Sequence, residues 1–280
     1  MKKAFFLLLI CILIISLAVA SFACKGKVSS DKDYHFYTYD AKKDSFVKMS
    51  ATLKFGADLS TFEYTFGDGD LTIMGTVEHT KTPDSYVITC GEEVVNLVRD
   101  RYRQSMVEGG ASEEELAVFD VIADNLEAQS QYFVYDGKLF TADAVEMFRC
   151  GDDKSDAFEG IYRMDSADTL TRLRGGFAYT QDDNGEYTVK SARYSVSRGI
   201  MTIISLDENG KDRYQNGVLM RKRYLMAKLT IPAEGGLLGT DFNEQLKTSA
   251  FVSKINENAS EYAGKTIAVL CESFYTDNMK

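Results

Sequence analysis

Apolar and polar residues alternate along most of the chain with the period of a β-strand. The alternation predicts strands at Ala51–Phe55, Phe62–Phe66, Leu71–Glu78 and Ser85–Thr89, separated by Gly, Asp and Pro clusters. Pro83 and Pro232 fall between such runs, where a missing N–H breaks no ladder. The period then changes. Val94, Val95, Val98, Tyr102 and Met106 recur at helical spacing across Glu92–Val107, and Gly109-Gly110 breaks the run. Ser112 with Glu115 is a capping box ahead of the stripe Leu116, Phe119, Ile122 and Leu126. A helical hairpin over about 92–130 is expected, its stripes packed on the sheet or on each other. Strand pattern resumes at Tyr132–Tyr135 and turns at Asp136-Gly137 into Lys138–Phe140. It continues at Gly160–Arg163, Phe177–Thr180, Glu186–Val196, Ile200–Leu206, Val218–Met220, Tyr224–Ile231 and Thr266–Phe274. Between Thr240 and Ala263 the pattern is mixed, and a short helix is expected.

One hairpin is written twice. Phe62-Glu-Tyr-Thr-Phe-Gly-Asp-Gly-Asp-Leu-Thr-Ile73 aligns with Phe177-Ala-Tyr-Thr-Gln-Asp-Asp-Asn-Gly-Glu-Tyr-Thr-Val189 once the second turn is granted one extra residue. Such spacing suits a duplicated domain better than a solenoid. The competing reading is that hairpins in general need Gly in the turn and Thr, Tyr and Ile in the strands.

The chain opens with Met1-Lys2-Lys3 and an apolar run over Ala4–Val19, followed by small residues. That is the layout of a secretory signal peptide at residues 1–23. Ser21-Phe22-Ala23-Cys24 resembles the lipobox of bacterial lipoproteins, whose cysteine is lipidated and becomes the new N-terminus. Ala23 fits, whereas Ser21 stands where leucine is usual and Phe22 where a small residue is usual. The resemblance implies lipid on Cys24 and a membrane anchor; the alternative is an ordinary cut after Ala20 or Ala23. Residues 24–33 read as a polar tether. Two or more acyl chains would hold the protein firmly, at about 0.8 kcal/mol per buried methylene.

Charge narrows the partners. The chain carries 32 basic and 42 acidic residues, a net charge of −10. Loss of Met1–Ala23 removes only Lys2 and Lys3 among the charges, which deepens the acidic excess. Nucleic acid and anionic lipid surfaces, which need basic patches, are disfavoured. The dense basic run Arg221-Lys222-Arg223 leads into YLMAKLTI and reads as part of a strand or its end. Of the exported cysteines, Cys90 and Cys150 bracket one segment, where a disulfide is allowed outside the cell. Buried free thiols are the alternative for Cys90, Cys150 and Cys271.

Candidate chemistry is sparse. GDGD (67–70), DDNGE (182–186) and DENGKD (207–212) gather carboxylates, but none has the ligand order of a calcium loop, and turns favour the same residues. A phosphate cradle would need amides at a helix start, not carboxylates before a strand. The only histidines are His35 and His79, and no G-x-S-x-G occurs. No catalytic, metal-binding or cofactor-binding residue is nominated. Arg172–Gly176 (RLRGG) resembles a ubiquitin tail only by chance, and Asn258-Ala-Ser260 is an acceptor without relevance behind a bacterial signal. The 16 Tyr and 17 Phe, with no Trp, suit a packed core or a ligand pocket.

Strand, DG turn, strand, short turn, strand resembles the lipocalin-like β-barrel modules of bacterial surface lipoproteins. Gly75-Thr76-Val77 and Ala192-Arg193-Tyr194 stand where that family carries G-x-Y, and Gly160-Ile161-Tyr162 would open a second barrel. The resemblance implies antiparallel barrels or curled sheets with an interior pocket. The expectation is a mainly β (α+β) protein of two related modules, 34–150 and 151–280, the first carrying the helical hairpin. It is expected at the outer face of a bacterial membrane, binding a small apolar ligand or a protein partner, without a cofactor. The alternatives are a carboxylate-dependent hydrolase and a structural or accessory envelope protein.

Overall fold

The computed structural model describes residues 28–67, 69, 71–123, 129–151, 158–164, 169–237 and 250–279. The segment read as a signal peptide, Cys24, Asp68 and Asp70 lie outside them. The chain is mainly β and forms two closed, eight-stranded antiparallel barrels. The first begins with β1 (Asp33–Asp40), β2 (Ser45–Phe55), β3 (Thr61–Phe66), β4 (Leu71–His79) and β5 (Ser85–Cys90). Helices α1 (Glu92–Glu108) and α2 (Glu113–Ala123) follow, then β6 (Gln129–Tyr135) and β7 (Lys138–Thr141).

The second barrel is a meander of β8 (Val145–Gly151), β9 (Gly160–Met164), β10 (Leu170–Arg174), β11 (Phe177–Gln181), β12 (Tyr187–Ser197) and β13 (Ile200–Ser205). A separate ribbon, β14 (Tyr214–Gln215) with β15 (Val218–Leu219), precedes β16 (Arg221–Thr230). Helices α3 (Ala250–Glu257) and α4 (Ala259–Tyr262) lead to β17 (Thr266–Cys271), which pairs with β8 and closes the ring. The final strand, β18 (Ser273–Thr276), returns to the first barrel and lies between β7 and β1. The sheets therefore do not divide the chain at residue 150: β8 starts the second barrel before that point, and β18 belongs to the first.

Three apolar clusters follow from this topology. Leu53, Phe55, Phe62, Ile73, Tyr132 and Tyr275 fill the first barrel, with Tyr34, Tyr86, Ile88 and Leu139. The second encloses Met147, Tyr162, Leu173, Met201, Tyr224 and Leu270. The third cluster lies between the barrels, where Phe133 and Phe140 from β6 and β7 meet Phe148, Leu225 and Val269 around Phe251, Val252 and Ile255 of α3. Strands lining this seam are apolar on both faces. In β8, Met147 points into its barrel and Phe148 into the seam, so the alternation that marks a half-buried strand is lost there.

The doubled hairpin is a correction at residue level. Both copies form hairpins, β3–β4 and β11–β12, and the second turn has the extra residue. Yet Phe62 and Ile73 are buried inside the first barrel, while Val189 is 48% exposed and it is Ala178, not Phe177, that points inward in the second. The aligned residues sit on opposite faces of their sheets. Shared turn chemistry, not a shared core, accounts for the likeness.

The helical hairpin forms, with Ser112 and Glu115 joined as a capping box: the Ser112 amide donates to Glu115 Oε2 at 2.7 Å and the Glu115 amide to Ser112 Oγ at 3.3 Å. Its packing is thinner than the stripes suggest. Arg103 pairs with Asp120, Tyr102 stacks on Phe119, and Val94 touches the first barrel's core. Among the described residues of the two helices only Leu116 is buried. Gly160-Ile161-Tyr162 lies on β9 and not on the strand that opens the second barrel.

Candidate functional site

Register in the first barrel carries Phe62, Tyr64 and Phe66 of β3 along one face, and Ile73 of β4 lies directly across from Tyr64. With Leu53 of β2 and Ile88 of β5 they wall a cavity of about 260 Å³. Its polar surface comes from Tyr64, Tyr132, Ser130 and the Cys90 thiol. Phe66 and Cys90 stand at the last positions of β3 and β5, and Ser130 at the start of β6, so the cavity lies toward one end of the barrel. Of the GDGD stretch only Gly67 and Gly69 are among the described residues; the reading of Asp68 and Asp70 lies outside them. Gly67 and Gly69 take φ of 60° and 98°, which a turn of this shape leaves to glycine.

Beneath the cavity three tyrosines meet. The Tyr275 hydroxyl is 3.0 Å from that of Tyr64, and its ring lies 5.8 Å from that of Tyr132. Burial pushes the phenols of Tyr132 and Tyr275 well above the ordinary tyrosine range. Tyr275 arrives from β18, the strand contributed by the chain's last segment. The opposite end of the barrel is closed. Val28, counted with the tether on sequence grounds, is 5% exposed and packs into the core. The next residue donates its amide to the Tyr34 hydroxyl at 2.9 Å.

A second concavity of about 500 Å³ runs between the barrels, lined by Tyr39 of β1, Ile203 of β13, Val218 and Leu219 of β15, and Lys222 and Tyr224 of β16. Here Lys222 Nζ is bound by Glu146 at 3.3 Å and, more closely, by Glu272, the residue between β17 and β18. Burial works against the Lys222 charge, but the hydrogen bonds to Glu272 and Glu146 prevail and raise its proton affinity. Arg221 and Arg223 both reach Asp44, at 2.6 and 3.0 Å. The basic run is thereby spent on ion pairs, of which those of Arg221 and Arg223 with Asp44 cross from the second barrel to the first.

The remaining candidates resolve into structure. Asp182 accepts from the amides of Asn184 and Glu186 and from the Thr188 hydroxyl at 2.8 Å, and these bonds, the last foremost, hold its carboxyl below the usual range. Asp207 likewise accepts from the amides of Asn209 and Lys211. Both carboxylates cap their own turns. Among the described residues no group of three or more His, Cys, Asp or Glu could hold a metal. His35 contacts the Thr52 hydroxyl, and the His79 ring lies against Tyr86. Of the two readings open for Cys90 and Cys150, the structure has the free thiols, one packed against the first barrel's interior and the other against the seam. Cys271 is a buried thiol. Cys24 lies outside the described residues. RLRGG is the end of β10 with Gly175-Gly176 as its turn into β11.

No protein-family model matches the chain, and neither a curated protein nor a solved structure proved similar to it. The site must therefore be read from its own chemistry. Sequence reasoning nominates the aromatics as a class but not Tyr64, Tyr132 and Tyr275 as a group, since 211 positions separate the first from the last. No local pattern links them; only the returning strand does.

Proposed function

We propose that this is a binding protein which takes a small, largely apolar molecule into its first barrel, and that lipid on Cys24 holds it at the outer face of a bacterial membrane. The supporting observation is the cavity of about 260 Å³ in a closed, aromatic-lined barrel. An engineered apolar cavity of roughly 150 Å³ already takes up benzene, and ligand pockets begin at about 300 Å³. The anchor rests on the apolar run, the placement of Cys24 directly behind it and the acidic, exported character of the rest. The hydrolase reading has one geometric support, Glu146 and Glu272 near the inter-barrel groove, but both are paired with Lys222, as in a structural ion-pair cluster.

Toluene is a suitable probe. Saturation transfer from the exported chain to toluene should be strong and should vanish in Ile73→Phe, whose added ring fills the cavity. Transfer that is absent in the parent, or undiminished in a folded Ile73→Phe, would refute the binding reading. For the anchor, Cys24→Ala should move the protein from the membrane fraction to the medium.

A further inference from the structure

If the first barrel binds a small molecule, and only on that premise, its hydroxyl groups specify the class of ligand. Tyr64, Tyr132 and Tyr275 bring three hydroxyl protons to one place. Three hydroxyls joined in a chain form at most two hydrogen bonds among themselves, so one O–H proton is left over. Tyr64 and Tyr132 are the members that line the cavity, whereas Tyr275 lies behind them and is 5% exposed. Were Tyr64 and Tyr132 both to donate to Tyr275, the buried Tyr275 proton would itself be left unpaired; Tyr275 therefore donates to one of them, and the phenol that accepts keeps its own proton for the cavity. Burial keeps these phenols protonated at any ordinary pH, so they are dependable donors. No described residue lining the cavity carries a charge. An anion taken inside would lose its hydration without meeting a cation, which is costly.

We infer that the first barrel selects a neutral molecule of roughly ten heavy atoms with a flat apolar body and one carbonyl-type acceptor oxygen, which receives the spare hydroxyl proton of the tyrosine cluster. A pure hydrocarbon would fill the same space but leave that donor unpaired in an apolar wall. A carboxylate would offer an acceptor but bring an uncompensated charge.

Three probes of nearly equal shape separate these cases: acetophenone, its hydrocarbon isostere α-methylstyrene, and benzoate. Their dissociation constants would be measured by ligand-observed NMR on the full exported chain and on the double variant Tyr64→Phe, Tyr132→Phe, with circular dichroism to check that the variant is folded. Acetophenone should bind about three- to tenfold more tightly than α-methylstyrene, the ratio expected of one net hydrogen bond. Benzoate should bind most weakly. In the double variant the acetophenone preference should fall to about one while α-methylstyrene keeps its affinity.

Equal binding of acetophenone and α-methylstyrene by the parent would overturn the donor assignment and leave the cavity reading standing. Benzoate binding as tightly as acetophenone would overturn the neutral class, and a preference that survives in the double variant would take the donor away from the tyrosines. Failure of all three probes, with toluene also unbound, would remove the binding reading itself and the ligand class with it. The parent's three-probe comparison needs no variant, so a double variant that does not fold still leaves the ligand class open to refutation.

Discussion

Gly75 shows how closely the first barrel's wall is built. It stands opposite Phe62 on one side and Cys90 on the other. A β-carbon there would lie 2.1 Å from the Thr89 carbonyl oxygen and 2.7 Å from the Phe62 ring, and backbone cannot give way as a flexible side chain can. Gly75→Ala is therefore expected to cost about 1–3 kcal/mol, read as a lower urea midpoint, and to weaken toluene binding by pushing Phe62 into the cavity. At this scale sequence is a poor guide. The F-x-Y-T motif at Phe62 and at Phe177 promises equivalent residues, yet one copy faces a core and the other faces solvent, where Lys190 Nζ lies 4.1 Å from the Phe177 ring centre. A motif names side chains but not the face they occupy, and in a strand one residue of slip decides that.

Elements are more legible. Strands with one wet face, such as β4 and β12, announce themselves by alternation, and the β6–β7 turn by Asp136-Gly137. β8 escapes a reading by alternation because both its faces are buried. β10 escapes it because it is short and rich in Arg, and β1 because it adjoins a segment that reads as tether. Thr266–Phe274 reads as one strand because a single residue, Glu272, separates β17 from β18 and leaves the apolar run unbroken. The capping box predicts its own test. Ser112→Ala should speed amide exchange at Glu115 several-fold without shifting the global unfolding midpoint, since α2 adds little to either barrel. Helix α3 is the opposite case. Phe251 is fully buried, with ring centres 5.2 Å from Phe148 and 6.4 Å from Phe133, one from each barrel. Phe251→Ala should cost about 3–5 kcal/mol, and calorimetry should show whether the two barrels then melt apart.

For the molecule as a whole, tyrosine burial sets an alkaline limit. Tyr132, Tyr162, Tyr224 and Tyr275 all hold their protons to higher pH than free tyrosine, with desolvation the leading cause. A raised pKa in the folded state gives stability that is complete below about pH 10 and declines above it, as the unfolded chain ionises first. Four such groups should steepen the loss to about 5 kcal/mol per pH unit above that point, measurable as the fall in urea midpoint between pH 9 and 11. The nested topology makes a separate prediction. Deleting residues 273–280 removes β18 and Tyr275 while leaving every strand of the second barrel in place. Such a chain should lose toluene binding, become sensitive to protease between residues 33 and 90, and aggregate through the unpaired edges of β1 and β7. Second-barrel segments should stay protected; uniform protection of the whole chain would contradict a first barrel that depends on its last strand.

Val28 gives the barrel a direction. Because that residue is already seated in the core, a lipid on Cys24 would be separated from the folded body by residues 25–27 alone, a leash of about 10 Å at full stretch. Val28 sits in the core with Tyr34 and beside Tyr86, at the start of β5, whereas the cavity is lined by Cys90, at the other end of that strand. An anchored molecule would stand with its cavity end outward, about a strand's length above the bilayer. Its ligand would then arrive from the surrounding medium and not by sliding out of the lipid beneath.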